Sequence, residues 1–287
     1  MARVVFLSQD SMEGYVCDDD VAVPACAEFG IEIETVSWRA DVDWSDYDAV
    51  IVRSTWDYQR HAEAFLDALG RIEGATRLAN ARELMRWNLD KRYLAELQRR
   101  GVPIVPTEFG QGMTAEALDA RLAATTSECV IKPAVSAGAE RTYRVHPDAP
   151  AEHRAEIVAG HADSVWMWQP FLPQIVDPGE YSLFYFNGIF SHAIIKTPKS
   201  GDFRVQEEFG GDIRLIDAPA AMRAAADRVM ASLDTDTLYA RVDLVDGSSG
   251  GYWLIELELI EPSLYLRKDP AAPARFAQAV ADWLEAG

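Results

Sequence analysis

The sequence is poor in cysteine, in long hydrophobic runs and in positive charge, and each shortage excludes something. Its three cysteines, Cys17, Cys26 and Cys129, stand at no metal-binding or redox spacing. An odd number of scattered thiols fits a reducing cytoplasm rather than a disulfide framework. No apolar stretch reaches membrane-spanning length, so no membrane partner is expected. The opening Met-Ala-Arg-Val-Val-Phe-Leu-Ser reads as a first strand, not a signal peptide. Lys and Arg number 27 against 46 Asp and Glu, a net charge of −19. That balance argues against nucleic acid as a partner, which would need a basic footprint. It leaves room for local basic pockets that meet a small anion. The five histidines are scattered and suggest neither a Ser-His-Asp nor a Cys-His arrangement. Internal repeats and low-complexity segments are also lacking.

What is present is a large apolar fraction, 49% of 287 residues, enough for two or three small domains. Strand and helix patterns alternate with short connections over the first third, which predicts an α/β unit with a parallel sheet over residues 1–106. Strands are expected at residues 3–7, 31–36 and 47–52. The Asp18-Asp19-Asp20 triplet reads as helix N-terminal charge rather than a metal site. Asn80 and Asn88 can each start a helix, the second carrying Lys91. A strand is expected to open within residues 101–106. Residues 107–172 read as a small α+β lid, with a helix starting at Thr114 and strands ending at Lys132 and Leu172. Residues 173–287 shift to antiparallel hairpins, of which Asn187-Gly188 is a strong turn signal. Helices over 219–233 and 270–285 flank the last hairpin.

That hairpin, residues 239–263, carries the chemistry. Asp243 interrupts its first apolar strand and Glu256 and Glu258 the second, and alternation puts the two glutamates on one face. Three carboxylates on an apolar hairpin are costly unless water, basic groups or a metal compensates. A face turned to solvent is the plain alternative. Mg²⁺ held by carboxylates and nucleotide phosphates accounts for them economically. At the end of the third strand stands Arg53-Ser54-Thr55-Trp56-Asp57-Tyr58. Ligands in open α/β sheets sit at such carboxyl ends, so Arg53, Ser54, Trp56 and Tyr58 are candidate substrate contacts. Alternatively, the aromatics pack the next helix and Arg53 makes a salt bridge.

Taken in order, Lys91, Val-Ile-Lys132-Pro, the loop at Ser136 to Gly138, Trp168-Gln169-Pro170-Phe171-Leu172, Glu180, Lys196, Arg204, Asp243 and Glu256-x-Glu258 resemble the ATP-grasp superfamily over residues 81–265. The pattern is similar to that of bacterial glutathione synthetase and its ligase relatives. The resemblance implies an ATP-grasp fold and an ATP- and Mg²⁺-dependent carboxylate–nitrogen ligase. Lys91, Lys132, Ser136 and Gly138 would contact phosphates, 169–172 would face adenine and Glu180 the ribose. Asp243, Glu256 and Glu258 would hold Mg²⁺, as two ions. Arg204 and Lys196 would stabilise the transferring phosphoryl group and the oxyanion. The departures are Glu258 where Asn is usual, Lys196 where Arg is usual, Ser182 where a basic residue is usual, and a glycine-poor loop at 136–139. The segments Arg53 to Tyr58, Trp87 to Tyr93 and Glu256 to Ser263 look most like a branch of small ligases that includes D-cycloserine synthetase. For that branch the resemblance implies ring closure of a small carboxylate substrate such as O-ureido-D-serine. Intermolecular amino-acid or dipeptide ligation and a non-catalytic nucleotide-binding module are the alternatives. A homodimer is expected from the relatives.

Overall fold

The computed structural model describes residues 1–136, 138–247 and 250–286. Ala137 in the expected phosphate-covering loop, and Ser248 and Ser249 at the tip of the acidic hairpin, lie outside the described residues. The apolar run Val4 to Leu7 forms the middle of β1 (Ala2–Ser8) and is buried on both faces, as a central parallel strand must be. β1 pairs in parallel with β2 (Ile31–Ser37) and β3 (Ala49–Ser54), and β3 with the short β4 (Arg77–Ala79). The order is β2-β1-β3-β4. α1 (Asp19–Glu28) covers the face carrying Val4, Phe6 and Ile51. α2 (Ala62–Ala75) covers the face carrying Val5, Leu7, Val50 and Val52.

α3 (Arg82–Leu89) and α4 (Tyr93–Arg99) lead away from this sheet. Lys91 falls in the break between them rather than on a helix. Asn80 and Asn88 start neither helix. Asn80, at φ 58°, donates to the carbonyls of Tyr239 and Leu259 and accepts from the Leu238 N–H. Asn88 bonds the Leu257 carbonyl and the Leu259 N–H. Both amides satisfy backbone groups of distant strands, an alternative use of the same chemistry that makes Asn a cap. The strand expected within 101–106 is a single bridge, Ile104 to Leu254; the regular strand begins later.

A second, antiparallel sheet has the order β5-β8-β6-β7. It comprises β5 (Glu108–Gln111), β6 (Cys129–Pro133), β7 (Tyr143–Val145) and β8 (Val165–Pro170). α5 (Ala115–Ala124), capped by Thr114, and α6 (Ala151–His161) pack one face through Leu118, Leu122 and Ile157.

The third sheet is antiparallel and five-stranded, with the order β11-β10-β9-β12-β13. β9 (Glu180–Phe186) and β10 (Ile189–Thr197) are joined by Asn187 and Gly188, both at positive φ, as a two-residue hairpin turn requires. β11 (Asp212–Ile216) is an edge strand that the sequence reading missed. β12 (Tyr239–Asp246) and β13 (Tyr252–Glu258) form the acidic hairpin, with α7 (Ala220–Ala231) before it and α8 (Ala272–Glu285) after it. One sheet face is apolar throughout: Leu183, Tyr185, Val242 and Leu257 pack against α4 and α7. The other face is divided. Phe184, Phe186, Ile194 and Tyr239 join the core under α1 and α8. Beyond them the same face turns polar. No helix among the described residues is long and apolar enough to cross a membrane.

Candidate active site

The polar half of that face is set by register. On β12, Asp243 lies opposite Glu256 of β13 and Ser182 of β9, and Arg241 lies opposite Glu258. On the hairpin beside them, Lys196 lies opposite Glu180. Period-two alternation therefore stacks these side chains on one surface. Gly179 makes the approach possible: a Cβ there would stand 2.6 Å from the Lys196 carbonyl oxygen.

The charges pair closely. Arg241 grips Asp243 with two nitrogens at 3.0 and 3.1 Å and also meets Glu258. Lys196 bonds Glu180 and stands 3.5 Å from Asp243. The Lys91 ammonium lies 3.0 Å from Glu256 and donates to the Ser136 carbonyl at 2.6 Å. Lys132 has no salt-bridge partner among the described residues. Burial lowers its pKa, a shift that nearby Glu256 opposes. Burial by itself would raise Asp243 and Glu256, but Arg241 and Lys196 outweigh it at the first and Lys91 and Lys132 at the second, so both are held below the usual range. For Glu258, burial prevails over Arg241 and its carboxyl rises to about 7. Burial acts against the Lys196 charge as well, yet Asp243 and Glu180 hold its pKa above normal.

These groups wall a cavity of about 540 Å³ that all three sheets help to form. Such a volume suits a bound small molecule. The structure brings to it Lys91, Lys132, Ser136, Gly138, Gln169, Pro170, Phe171, Leu172, Glu180, Lys196, Arg204, Asp243, Glu256 and Glu258, and also Arg53, Trp56 and Tyr58. Ser54 is the exception. It is buried, its carbonyl takes the Gln9 N–H, and it forms no part of the cavity wall, because alternation along β3 turns it away from Arg53.

Several of these side chains are committed. Arg53 is buried and bonds Asp19 at 3.0 Å and the Pro262 carbonyl at 3.3 Å. Tyr58 stacks on Phe65 of α2 at 4.5 Å, and Trp56 donates to the Glu261 carbonyl. The plainer reading of that cluster thus describes Tyr58, packed on α2, and Arg53, in its salt bridge, but not Trp56, whose ring meets Tyr15. Arg204 folds back onto Asp202 through two nitrogens and lies over Phe209. At the other end, the Gln169 amide bonds Thr107 and the Phe171 N–H bonds the Glu128 carbonyl, while Phe171 faces Phe203 edge-on.

In donor chemistry Asp243, Glu256 and Glu258 suit a hard divalent cation. As they stand, each is engaged by a basic side chain. Among the described residues, no group of three or more Asp, Glu, His or Cys side chains stands at metal-holding spacing.

Sequence reasoning missed four cavity residues. Arg241 sits two positions before Asp243 on the same strand, and alternation could have found it. Glu261 follows Glu258 by three; burial and repulsion from Glu258 raise its carboxyl to about 8. Arg267 bridges Asp18 and Glu207. Asp19, read as helix charge, does lie in the first turn of α1 but also anchors Arg53.

Residues 4–80 match a family model described as the N-terminal domain of D-cycloserine synthetase DcsG. Over 279 residues the chain is 34% identical to the cycloserine biosynthesis protein DcsG of Streptomyces lavendulae, covering 91% of this chain and 92% of that protein. The crystal structure of D-cycloserine synthetase DcsG superposes with a TM-score of 0.85 at 33% identity, over 98% of this chain and 99% of that one. A RimK-domain ATP-grasp protein from Sphaerobacter thermophilus superposes with a TM-score of 0.68 at 18% identity, over 99% and 100% of the two chains, a likeness of fold.

Proposed function

The chain belongs to the D-cycloserine synthetase family of ATP-grasp ligases, and from that membership we propose that it closes a ring within a small amino-acid derivative, of the O-ureido-D-serine type, at the expense of ATP. The carboxylate is converted to an acyl phosphate, and a nitrogen of the same molecule displaces the phosphate. Phosphoryl transfer asks the protein chiefly for positioning and charge neutralisation. The observation that carries the reading is the cavity of about 540 Å³ lined by Lys91, Lys132, Lys196 and Arg241 together with Arg53, Trp56 and Tyr58.

In this reading Lys132, Lys91 and the loop at Ser136 and Gly138 hold phosphates. Phe171 and residues 169–172 border adenine, and Glu180 borders the ribose. Lys196, Arg204 and, by its place in the cavity, Arg241 face the reacting carboxylate and the oxyanion formed from it. Asp243, Glu256 and Glu258 would hold Mg²⁺, as two ions, which would supply neutralisation of phosphate charge. The working units are residues 1–106, 107–172 and 173–287, in a cytoplasmic homodimer.

The test is ADP release with MgATP across O-ureido-D-serine, its L form and pools of amino acids and dipeptides, with products followed by mass spectrometry. Turnover with one compound alone and a ring-closed product is expected. Turnover only when two compounds are mixed would replace cyclisation with intermolecular ligation, the alternative that the ATP-grasp fold also supports.

A further inference from the structure

The basic side chains around the cavity differ in where their partners stand. Arg53, Arg60, Lys91, Lys196, Arg241 and Arg267 are paired with carboxylates that line the cavity themselves, so an entering anion competes with those carboxylates. Arg204 is different. It lines the cavity, but the carboxylate that holds it, Asp202, does not. An anion can therefore meet Arg204 from the cavity without displacing its partner.

Asp202 fixes the guanidinium firmly. Nε lies 3.1 Å from both carboxylate oxygens and Nη2 donates to Oδ2 at 2.7 Å, a two-pronged, charge-assisted geometry. The Phe209 ring supports the guanidinium at 3.9 Å. Two of the five N–H donors are spent on Asp202, and the other three have no protein partner among the described residues. The carboxylate is itself held: Oδ1 accepts the backbone N–H groups of Phe203 and Arg204 at 2.7 and 3.0 Å. The surrounding backbone is closed, with the Asp202 N–H on the Lys199 carbonyl and the Gly211 N–H on the Gln206 carbonyl. Gly211 packs so near Val205 that a Cβ there would stand 2.1 Å from its carbonyl oxygen. Hydrogen bonds from the Arg204 side chain, then from its backbone, keep the Asp202 carboxyl well below the usual range, so it is ionised at neutral pH.

We propose that Asp202 is a positioning residue, which holds Arg204 ready for the terminal phosphate of the nucleotide through a pair that persists when the nucleotide is bound. An arginine fixed in advance loses little side-chain freedom on meeting a phosphate. The inference rests on the proposed function for the identity of the anion.

The experiment is calorimetric titration, with Mg²⁺ present, of ADP and of the non-hydrolysable triphosphate AMP-PNP, which differ in the terminal phosphate. Asp202→Asn keeps an oxygen for the two backbone N–H groups, as an Asx turn does, and removes the charge and one arm of the fork. It should weaken AMP-PNP binding by roughly fivefold or more while changing that of ADP by less than about twofold. Arg204→Met should show the same split more strongly. Asp202→Asn added to Arg204→Met should cause no further loss, because Asp202 acts through Arg204. Equal weakening of both nucleotides, an unchanged AMP-PNP affinity in Asp202→Asn, a further loss in the double variant, or no binding of either nucleotide by wild type would overturn the proposal. Tighter AMP-PNP binding in Asp202→Asn would overturn it too, since the pair would then withhold Arg204 instead of presenting it. The expected split without ADP release from ATP across the substrate panel would refute the ligase reading and leave the role of Asp202 standing.

Discussion

Replacing Arg241 by Met tests the centre of the site. The guanidinium is about nine-tenths buried and serves two carboxylates, Asp243 with two nitrogens and Glu258 with one. Methionine keeps much of the side-chain volume and removes every donor. Asp243 retains Ser182 and a lysine at 3.5 Å, but Glu258 loses its only salt-bridge partner among the described residues. Breaking a buried pair by removing one partner costs about 3–5 kcal/mol, because the other charge stays buried. Arg241→Met should therefore lower the unfolding free energy by roughly that amount in urea denaturation followed by circular dichroism. Adding Glu258→Gln should recover part of the loss, since it removes the carboxyl left without its partner, and the double-mutant cycle measures the coupling. Arg241→Lys should fall between, as one ammonium cannot serve both carboxylates in the same geometry. ADP release should be lost in Arg241→Met at temperatures where the variant is fully folded. A stability loss under about 1 kcal/mol would refute the reasoning, because it would mean that neither carboxylate depends on the guanidinium.

Lys132, which has no salt-bridge partner among the described residues, separates binding from folding: Lys132→Met should weaken nucleotide binding by roughly 10- to 100-fold with little change in stability, read by titration with ADP and by urea. Asn80→Ala removes three hydrogen bonds to Leu238, Tyr239 and Leu259 and leaves a non-glycine residue at positive φ. It should cost about 3–4 kcal/mol while leaving the KM for ATP unchanged in the folded enzyme. Glu261, raised from 4.5 to about 8, keeps its proton in the folded state over a range where the unfolded chain has lost it. The native state then binds more protons, so stability should fall as pH rises from about 4.5 to 8, and Glu261→Gln should flatten that decline in urea midpoints.

Most of the chain's architecture was legible because its signals are local. The run Val4 to Leu7, the turn Asn187-Gly188 and the cap Thr114 each specify one element with few neighbours. β11 was not legible: Asp212-Ile-Arg-Leu-Ile is short, alternates weakly and follows two glycines, so it reads as loop until β10 offers an edge. Asn80 and Asn88 misled for a related reason. Their side chains satisfy backbone groups 80 residues or more away, and no local pattern announces that.

The candidate site divides along the same line. Glu256 and Glu258 stood out because two charges in an apolar strand break its pattern. Arg241 stood out less, since one arginine near a strand's start can always be solvated. Its position became informative only once the register set it across from Glu258. Ser54 shows the converse: nearness in sequence to Arg53 suggested a shared role, and alternation along β3 denies it. The commitments of Arg53 and Arg204 to Asp19 and Asp202 are contacts of specific geometry that composition does not carry.

The balance of charge on the polar sheet face bears on what the nucleotide must bring with it. Lys91, Lys132, Lys196 and Arg241 contribute four positive charges, and Glu180, Asp243, Glu256 and Glu258 contribute up to four negative ones. The face is close to neutral, unlike a bare phosphate site, where positive charge stands in excess. A nucleotide triphosphate arriving alone would engage Lys91 and Lys196 only by drawing them from their carboxylates, and in a low-dielectric cavity stranded carboxylates repel it strongly. Divalent cations arriving with the phosphates would remove both penalties, since the released carboxylates are hard-oxygen donors. Nucleotide affinity should therefore depend steeply on Mg²⁺, falling by at least roughly tenfold when EDTA replaces it in a titration. The Glu256→Gln variant should lose part of that dependence, because it begins with one negative charge fewer. Equal affinity with and without the cation in wild type would mean that the lysines meet the phosphates without leaving their partners, and the neutral face would then need another explanation.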